Sequence, residues 1–145
     1  MNHDSYPDAY IRAILTKTKT VALVGASNNQ ARTSWIVLKY LLGRGFEVFP
    51  VNPGLVGQEI LGRKVHAKLS DVPQPFDMVD IFRNSEAAGA VVDEALALAA
   101  PPKTIWMQLS VRNDAAAARA EAKGVQVAKN RSPTIEWRRL SGEIG

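Results

Sequence analysis

The sequence contains no cysteine. Disulfides, thiolate metal sites and cysteine nucleophiles are therefore excluded. Only two histidines occur, His3 and His66. They are isolated from each other, so a metal site has nothing to be built from. Long apolar runs are also missing. No stretch approaches the roughly 20 residues that span a bilayer, and the opening MNHDSYPDAY lacks the apolar core of a secretory signal. No membrane partner and a cytoplasmic location are the expectations. Aromatics make up 7% of the chain, and the net charge of +4 is scattered, with no basic block beyond Arg138-Arg139. Neither a stacking platform nor a polybasic patch is visible, so nucleic acid is not expected as a partner.

What is present suits one domain spanning 1–145. The 145 residues are 46% hydrophobic and 22% charged, ordinary values for a chain that buries its own core.

The chain is organised around Thr20 to Tyr40. Val21 to Val24 form an apolar run of strand length, which Gly25 ends. A polar stretch through Ser27, Asn28, Asn29 and Gln30 follows, with Arg32, Thr33 and Ser34 behind it. From Ser34 onward, Ile36, Val37, Tyr40 and Leu41 recur on one face of a helix. Strand, glycine turn and helix make a physical device for anions. Free N–H groups at the helix start, backed by the helix dipole, attract phosphate. Gly25 lets the backbone turn and approach a ligand closely. The same unit also occurs in α/β folds that bind nothing there.

A first helix is expected over Tyr6 to Lys17, with Pro7 and Asp8 in its first turn. The central helix stops at Gly43-Arg44-Gly45, and FEVFPV (46–51) is the second strand. Glu59 to Val65 reads as a short strand or hairpin, and Leu69 to Val72 as a helical turn. Met78 to Phe82 is a strand, Ser85 caps a helix through Ala99, and Thr104 to Leu109 is the next strand. Asn113 caps a helix ending at Gly124, and Val125 to Ala128 is the last strand. The tail, Asn130 to Leu140, reads as a loop with a closing turn.

This alternation predicts an α/β fold: a doubly wound parallel sheet, Rossmann-like, with helices on both faces as a three-layer αβα domain. The expected strand order is 3-2-1-4-5 or an extension of it. Ligands in such sheets bind beyond the carboxyl ends of the strands near the switch point. That edge carries Gly25 to Ser34, Asn52-Pro53, Phe82-Arg83 and Gln108 to Val111.

The dinucleotide fingerprint G-x-G-x-x-G needs an acid about 20 residues on. Here only Gly25 of the three glycines is present, and Asn52-Pro53 stands where the carboxylate belongs. Both departures count against NAD. A rim with Arg32 and Arg83 and no acid points to a polyanionic nucleotide, since arginine matches phosphate in bidentate geometry.

The motifs VALVGAS-NNQARTS, VNP (51–53), LGRKV (61–65), VDIFR (79–83), WMQL (106–109) and NRSPTIEWRRL resemble, in order and spacing, the small stand-alone CoA-binding proteins. That family has a single Rossmann-like domain related to the CoA-binding domain of succinyl-CoA synthetase alpha subunits. The resemblance implies coenzyme A as cofactor, as free CoA or acyl-CoA, with its phosphates on the Gly25-Ala26-Ser27-Asn28 to Arg32-Thr33-Ser34 loop. Its adenosine would lie near Asn52-Pro53 and Phe82-Arg83. Relatives often carry cysteine where this chain has Ser132, which removes any thiol-based role here.

Other roles stay open. Ser27 and Ser34 can donate to phosphate or cap the helix, and Phe82 can pack on adenine or in the core. Asp80, inside a strand, is expected to bond to backbone or pair with an arginine. Glu136 with Arg138 and Arg139 reads as an ion-pair cluster, and His3 as part of a mobile terminus. No nucleophile–base pair or paired carboxylate falls at one site by spacing, so the sequence reads as a binding module without catalytic residues. An oxidoreductase-like domain binding NAD(P) or another nucleotide is the alternative, although the chain has few residues to enclose a substrate pocket. A protein partner is not specified.

Overall fold

Among the described residues, seven short strands and five α-helices largely alternate, as the apolar periodicity requires. In the computed structural model, which describes residues 3–141, the order begins with α1 (Asp8–Lys17), β1 (Thr20–Val24), α2 (Thr33–Gly43) and β2 (Glu47–Val51). A hairpin follows, β3 (Glu59–Ile60) with β4 (Arg63–Lys64). Then come β5 (Met78–Ile81), α3 (Ser85–Leu96), β6 (Thr104–Met107), α4 (Asp114–Ala122), β7 (Gln126–Ala128) and α5 (Pro133–Ser141). No helix of the described residues is long and apolar enough to cross a membrane.

The main sheet is parallel throughout, in the order β2-β1-β5-β6-β7. The expected 3-2-1-4-5 order is therefore corrected. The segment that would supply a strand outside β2 contributes one bridge there, Val51 to His66, with Asn52 N–H donating to His66 O (2.9 Å) and His66 N–H to Pro50 O (3.0 Å). Residues 59–64 pair with themselves as the hairpin instead. The chain reverses direction at the β1/β5 boundary, which makes that boundary the switch point.

Side chains alternate across the strands, so each strand feeds two cores. Ala22, Val24, Val79, Ile81, Ile105 and Met107 pack with Val92 and Ala116 on the α3/α4 face. Val21, Leu23, Met78 and Trp106 pack with Ile14 and Leu38 on the α1/α2/α5 face. The result is the expected α/β, Rossmann-like, three-layer arrangement.

Local details differ from the sequence reading for identifiable reasons. In α2 the buried positions are Ser34, Val37, Leu38 and Leu41, while Ile36 is exposed. The helix is apolar nearly all round, so its sequence pattern does not single out one face. Asn84 rather than Ser85 caps α3, accepting from Ala87 N–H at 2.7 Å. The tail is a helix, not a loop. Its signal was Ser132-Pro133: the hydroxyl of Ser132 accepts from Ile135 N–H (3.4 Å), and proline fits the first helical position. His3 is held rather than mobile, within hydrogen-bond distance of the Tyr6 hydroxyl and the Glu121 carboxylate (2.6 Å each).

Candidate functional site

The site begins where β1 ends. Gly25 has φ +89°, a conformation that costs a side chain roughly 1–2 kcal/mol. Its N–H donates to Val51 O on β2 (3.0 Å), and Ala26 N–H reaches the same oxygen (3.3 Å). On the other side lies β5's end: a Cβ on Gly25 would sit 2.9 Å from the Phe82 carbonyl oxygen. The turn is therefore clamped between the two strands that flank β1.

Beyond it the loop braces itself. Asn29 N–H donates to Ser27 Oγ (3.0 Å), Ala31 N–H to Asn29 Oδ1 (2.9 Å), and Arg32 N–H to Asn29 O (3.0 Å). Asn28 Nδ2 donates across to Gln58 Oε1 (3.3 Å). Arg32 occupies the cap position of α2; its carbonyl accepts from Trp35 and Ile36 N–H, and no side chain caps the helix, so the N–H groups of Thr33 and Ser34 are free. These donors and the positive end of the helix dipole are left to face the cleft.

A cleft of about 510 Å³ opens above this turn. Gly25, Ala26, Ser27, Asn28, Arg32, Thr33 and Ser34 line it from the loop and α2. Asn52 and Phe82 line it from β2 and β5. These are nine of the eleven residues expected from sequence. Pro53 and Arg83 are exposed and outside the lining, while Gly54 and Leu55 join it. The Asn-Pro-Gly turn was the available signal for those two. Asn52 Oδ1 accepts from Gly54 N–H (2.8 Å), closing a short turn at Pro53–Leu55. Its Nδ2 donates to Ala26 O (2.8 Å). The Asn52 amide is thus spent on tying β2 to the loop, and shapes the cleft rather than reaching into it.

No acidic residue lines the cleft. Arg32 pairs with no carboxylate among the described residues. The site therefore offers backbone donors, hydroxyls and an uncommitted guanidinium, a set complementary to an anion.

Asp80 differs from its expected role. It is fully buried in β5, and neither carboxylate oxygen has a hydrogen-bond partner. It neither bonds to backbone nor pairs with arginine. Burial pushes its carboxyl well above the usual range, because a charge there would lose its hydration. Gln108, at the end of β6, is likewise buried with both amide atoms unpartnered. Such groups are rare in native folds and cost about 1–3 kcal/mol each.

Glu136 does anchor an ion-pair cluster, with Arg139 (2.8 Å) and Arg131 (3.4 Å). Arg139 also reaches Asp8 (2.8 Å). Arg138 instead lies over the Tyr40 ring. This cluster fastens α5 to α1 and stands apart from the cleft lining.

Known proteins bear on this geometry. A family model described as "CoA binding domain" matches residues 19–138. Uncharacterized protein YneT of Bacillus subtilis (strain 168) is 37% identical over 116 residues, covering 80% of this chain and 83% of that protein. A hypothetical protein from Pyrococcus horikoshii OT3 superposes with a TM-score of 0.89 at 37% identity, over 98% of this chain and 97% of its own. The dinucleotide-forming acetyl-coenzyme A synthetase 1 of Ca. Korarchaeum cryptofilum matches with a TM-score of 0.64 at 26% identity, over 77% of this chain but 26% of that enzyme.

Proposed function

Because the chain belongs to the CoA-binding domain family, we propose that it binds coenzyme A or an acyl-CoA in the Gly25–Ser34 cleft. The observation that carries this reading is the uncapped start of α2 beside an unpaired Arg32, in a cleft without a carboxylate. Diphosphate lies against the Thr33 and Ser34 N–H groups at the start of α2, with Ser27, Thr33 and Ser34 supplying hydroxyl donors. The adenosine end rests between the Asn52–Leu55 turn and Phe82. The likeness to an acetyl-coenzyme A synthetase over a quarter of that enzyme supports the same ligand class. The missing ribose-binding acid weighs against NAD.

The test is thermal unfolding with each ligand. A ligand at a hundredfold excess over its Kd stabilises by about 2.7 kcal/mol, a melting shift of roughly 5–10 °C for a chain of this size. CoA should produce that shift and NAD should produce none. Equal shifts with both ligands would overturn the preference.

Arg32 is the charge assigned to the phosphates. Charge-assisted hydrogen bonds contribute roughly 1.5–3 kcal/mol, so Arg32→Ala should weaken CoA by about tenfold or more in calorimetric titration. The melting temperature of the free protein should hardly move, since an exposed unpaired arginine contributes little to stability. Arg83→Ala, outside the lining, should change the affinity by no more than about twofold. A larger loss at Arg83 than at Arg32 would place the phosphates elsewhere on this edge.

A further inference from the structure

Buried polar atoms without a partner are not scattered over this molecule. Among the described residues they belong to Tyr40, Asp80, Gln108, Thr134 and Trp137. Tyr40 is on α2, Thr134 and Trp137 are on α5, and Asp80 follows Met78 by two in β5. All of these place them on the α1/α2/α5 side of the sheet. Gln108 continues the same side of β6 from Trp106. Among the described residues, the α3/α4 side has none.

Asp80 and Gln108 are the two of this set that the sheet itself carries, on neighbouring strands. Asp80 is opposite Trp106 in the parallel register, so Gln108 is two positions further along the neighbouring strand, level with Phe82. Two strand residues span about 6.6 Å. Phe82 lines the cleft, so the Asp80 and Gln108 side chains begin directly behind the cleft wall. The start of α5 closes over them: Arg131 N–H donates to Met107 O (3.2 Å), and Trp106 Nε1 donates to Arg131 O (2.9 Å). Ser132, next in the chain, is buried there as well.

The chemistry of the pair selects its occupant. A carboxamide offers a donor and an acceptor, and so does a protonated carboxyl. No lysine or arginine bonds either side chain, so an anion would find no counter-charge. The matching group is uncharged and both donates and accepts, as an amide does. A linear ligand whose phosphates occupy the Gly25–Ser34 loop has its other end still to place. The unpartnered atoms on the strand that ends at Phe82 and on its neighbour are these four.

We propose, on the coenzyme A reading, that Asp80 and Gln108 form an amide-recognising subsite beneath α5, reached past Phe82, for the amide-bearing pantetheine arm. The arm gives the four atoms their partners.

Two ligands separate this subsite from the cleft itself. Coenzyme A carries the arm; adenosine 3′,5′-bisphosphate carries the nucleotide and phosphates without it. In calorimetric titrations the parent protein should bind CoA at least about tenfold more tightly than the bisphosphate. Gln108→Leu and Asp80→Leu should each weaken CoA roughly five- to tenfold and leave the bisphosphate unchanged. Asp80→Asn, which keeps a donor and an acceptor, should retain CoA binding. Equal affinity of the parent for both ligands overturns the subsite, as does unchanged CoA binding in both leucine variants, the result expected if the pair is only a buried part of the core. If the parent binds neither ligand, the coenzyme A reading itself is rejected.

Discussion

Gly25→Val is expected to abolish CoA binding. Gly25 adopts φ +89°, and a Cβ there would lie 2.9 Å from the Phe82 carbonyl oxygen and 3.1 Å from its carbon. Those atoms are backbone, held by Phe82 N–H donating to Val24 O (2.8 Å), so they cannot rotate aside. A β-branched residue adds strain of about 1–3 kcal/mol from the left-handed backbone. The relief available is for the turn to move, and the turn carries Ala26, Ser27 and the approach to α2. Binding should fall below detection in calorimetry, with a lowered melting temperature. Circular dichroism supplies the control for folding. A folded Gly25→Val variant that binds CoA at parental affinity would remove this loop from the site.

The second large effect is on stability, and it grows with pH. Asp80 has no cation or hydrogen-bond donor to hold its charge, and burial raises its carboxyl well above the ordinary value. Above about pH 4 the unfolded chain releases this proton while the folded chain keeps it. The folded state then binds more protons than the unfolded state, so stability falls as pH rises, by up to about 1.4 kcal/mol per pH unit. The fall ends when the folded-state value is passed. Asp80→Asn keeps the shape and does not titrate, so it should be the more stable protein at neutral pH. Urea unfolding of both proteins from pH 4 to pH 8 should give a gap that widens with pH. A constant gap would mean that Asp80 is ionised in the folded protein.

Asp114 works in the other direction and does not blur this test. Its hydrogen bond from Arg112, then that from Lys129, lowers its carboxyl to about 2. Its stabilising contribution is complete above about pH 4 and is lost as pH falls toward 2. That window lies below the one in which Asp80 acts.

Several features of this protein are local, and the sequence determined them alone. Val21 to Val24 followed by Gly25 is a strand and a turn wherever it folds, and Asn113 before an alanine-rich run is a helix start. The alternation of such units left few options besides a parallel sheet with a ligand edge at its switch point. Hence the fold class, the loop and most of the cleft lining were legible. The resemblance in VALVGAS-NNQARTS and the later motifs located the family for the same reason: the contacts concerned lie within short segments.

What only the tertiary structure decided depends on residues far apart in the chain. Arg32 and Arg83 look equivalent as basic residues after strands, yet only Arg32 lines the cleft. The path of the chain after β5 carries Arg83 away. The segment after β2 folds on itself because Ile60 and Arg63 pair across a two-residue turn, and only the packed sheet shows that one bridge is left for β2. Asp80 reads as an ordinary polar residue with a partner until three layers close around it. Its isolation follows from Leu23 and Trp106 being its neighbours in register. Pairing, burial and the loss of hydration are sums over non-local contacts, and a linear pattern of residue types does not contain them.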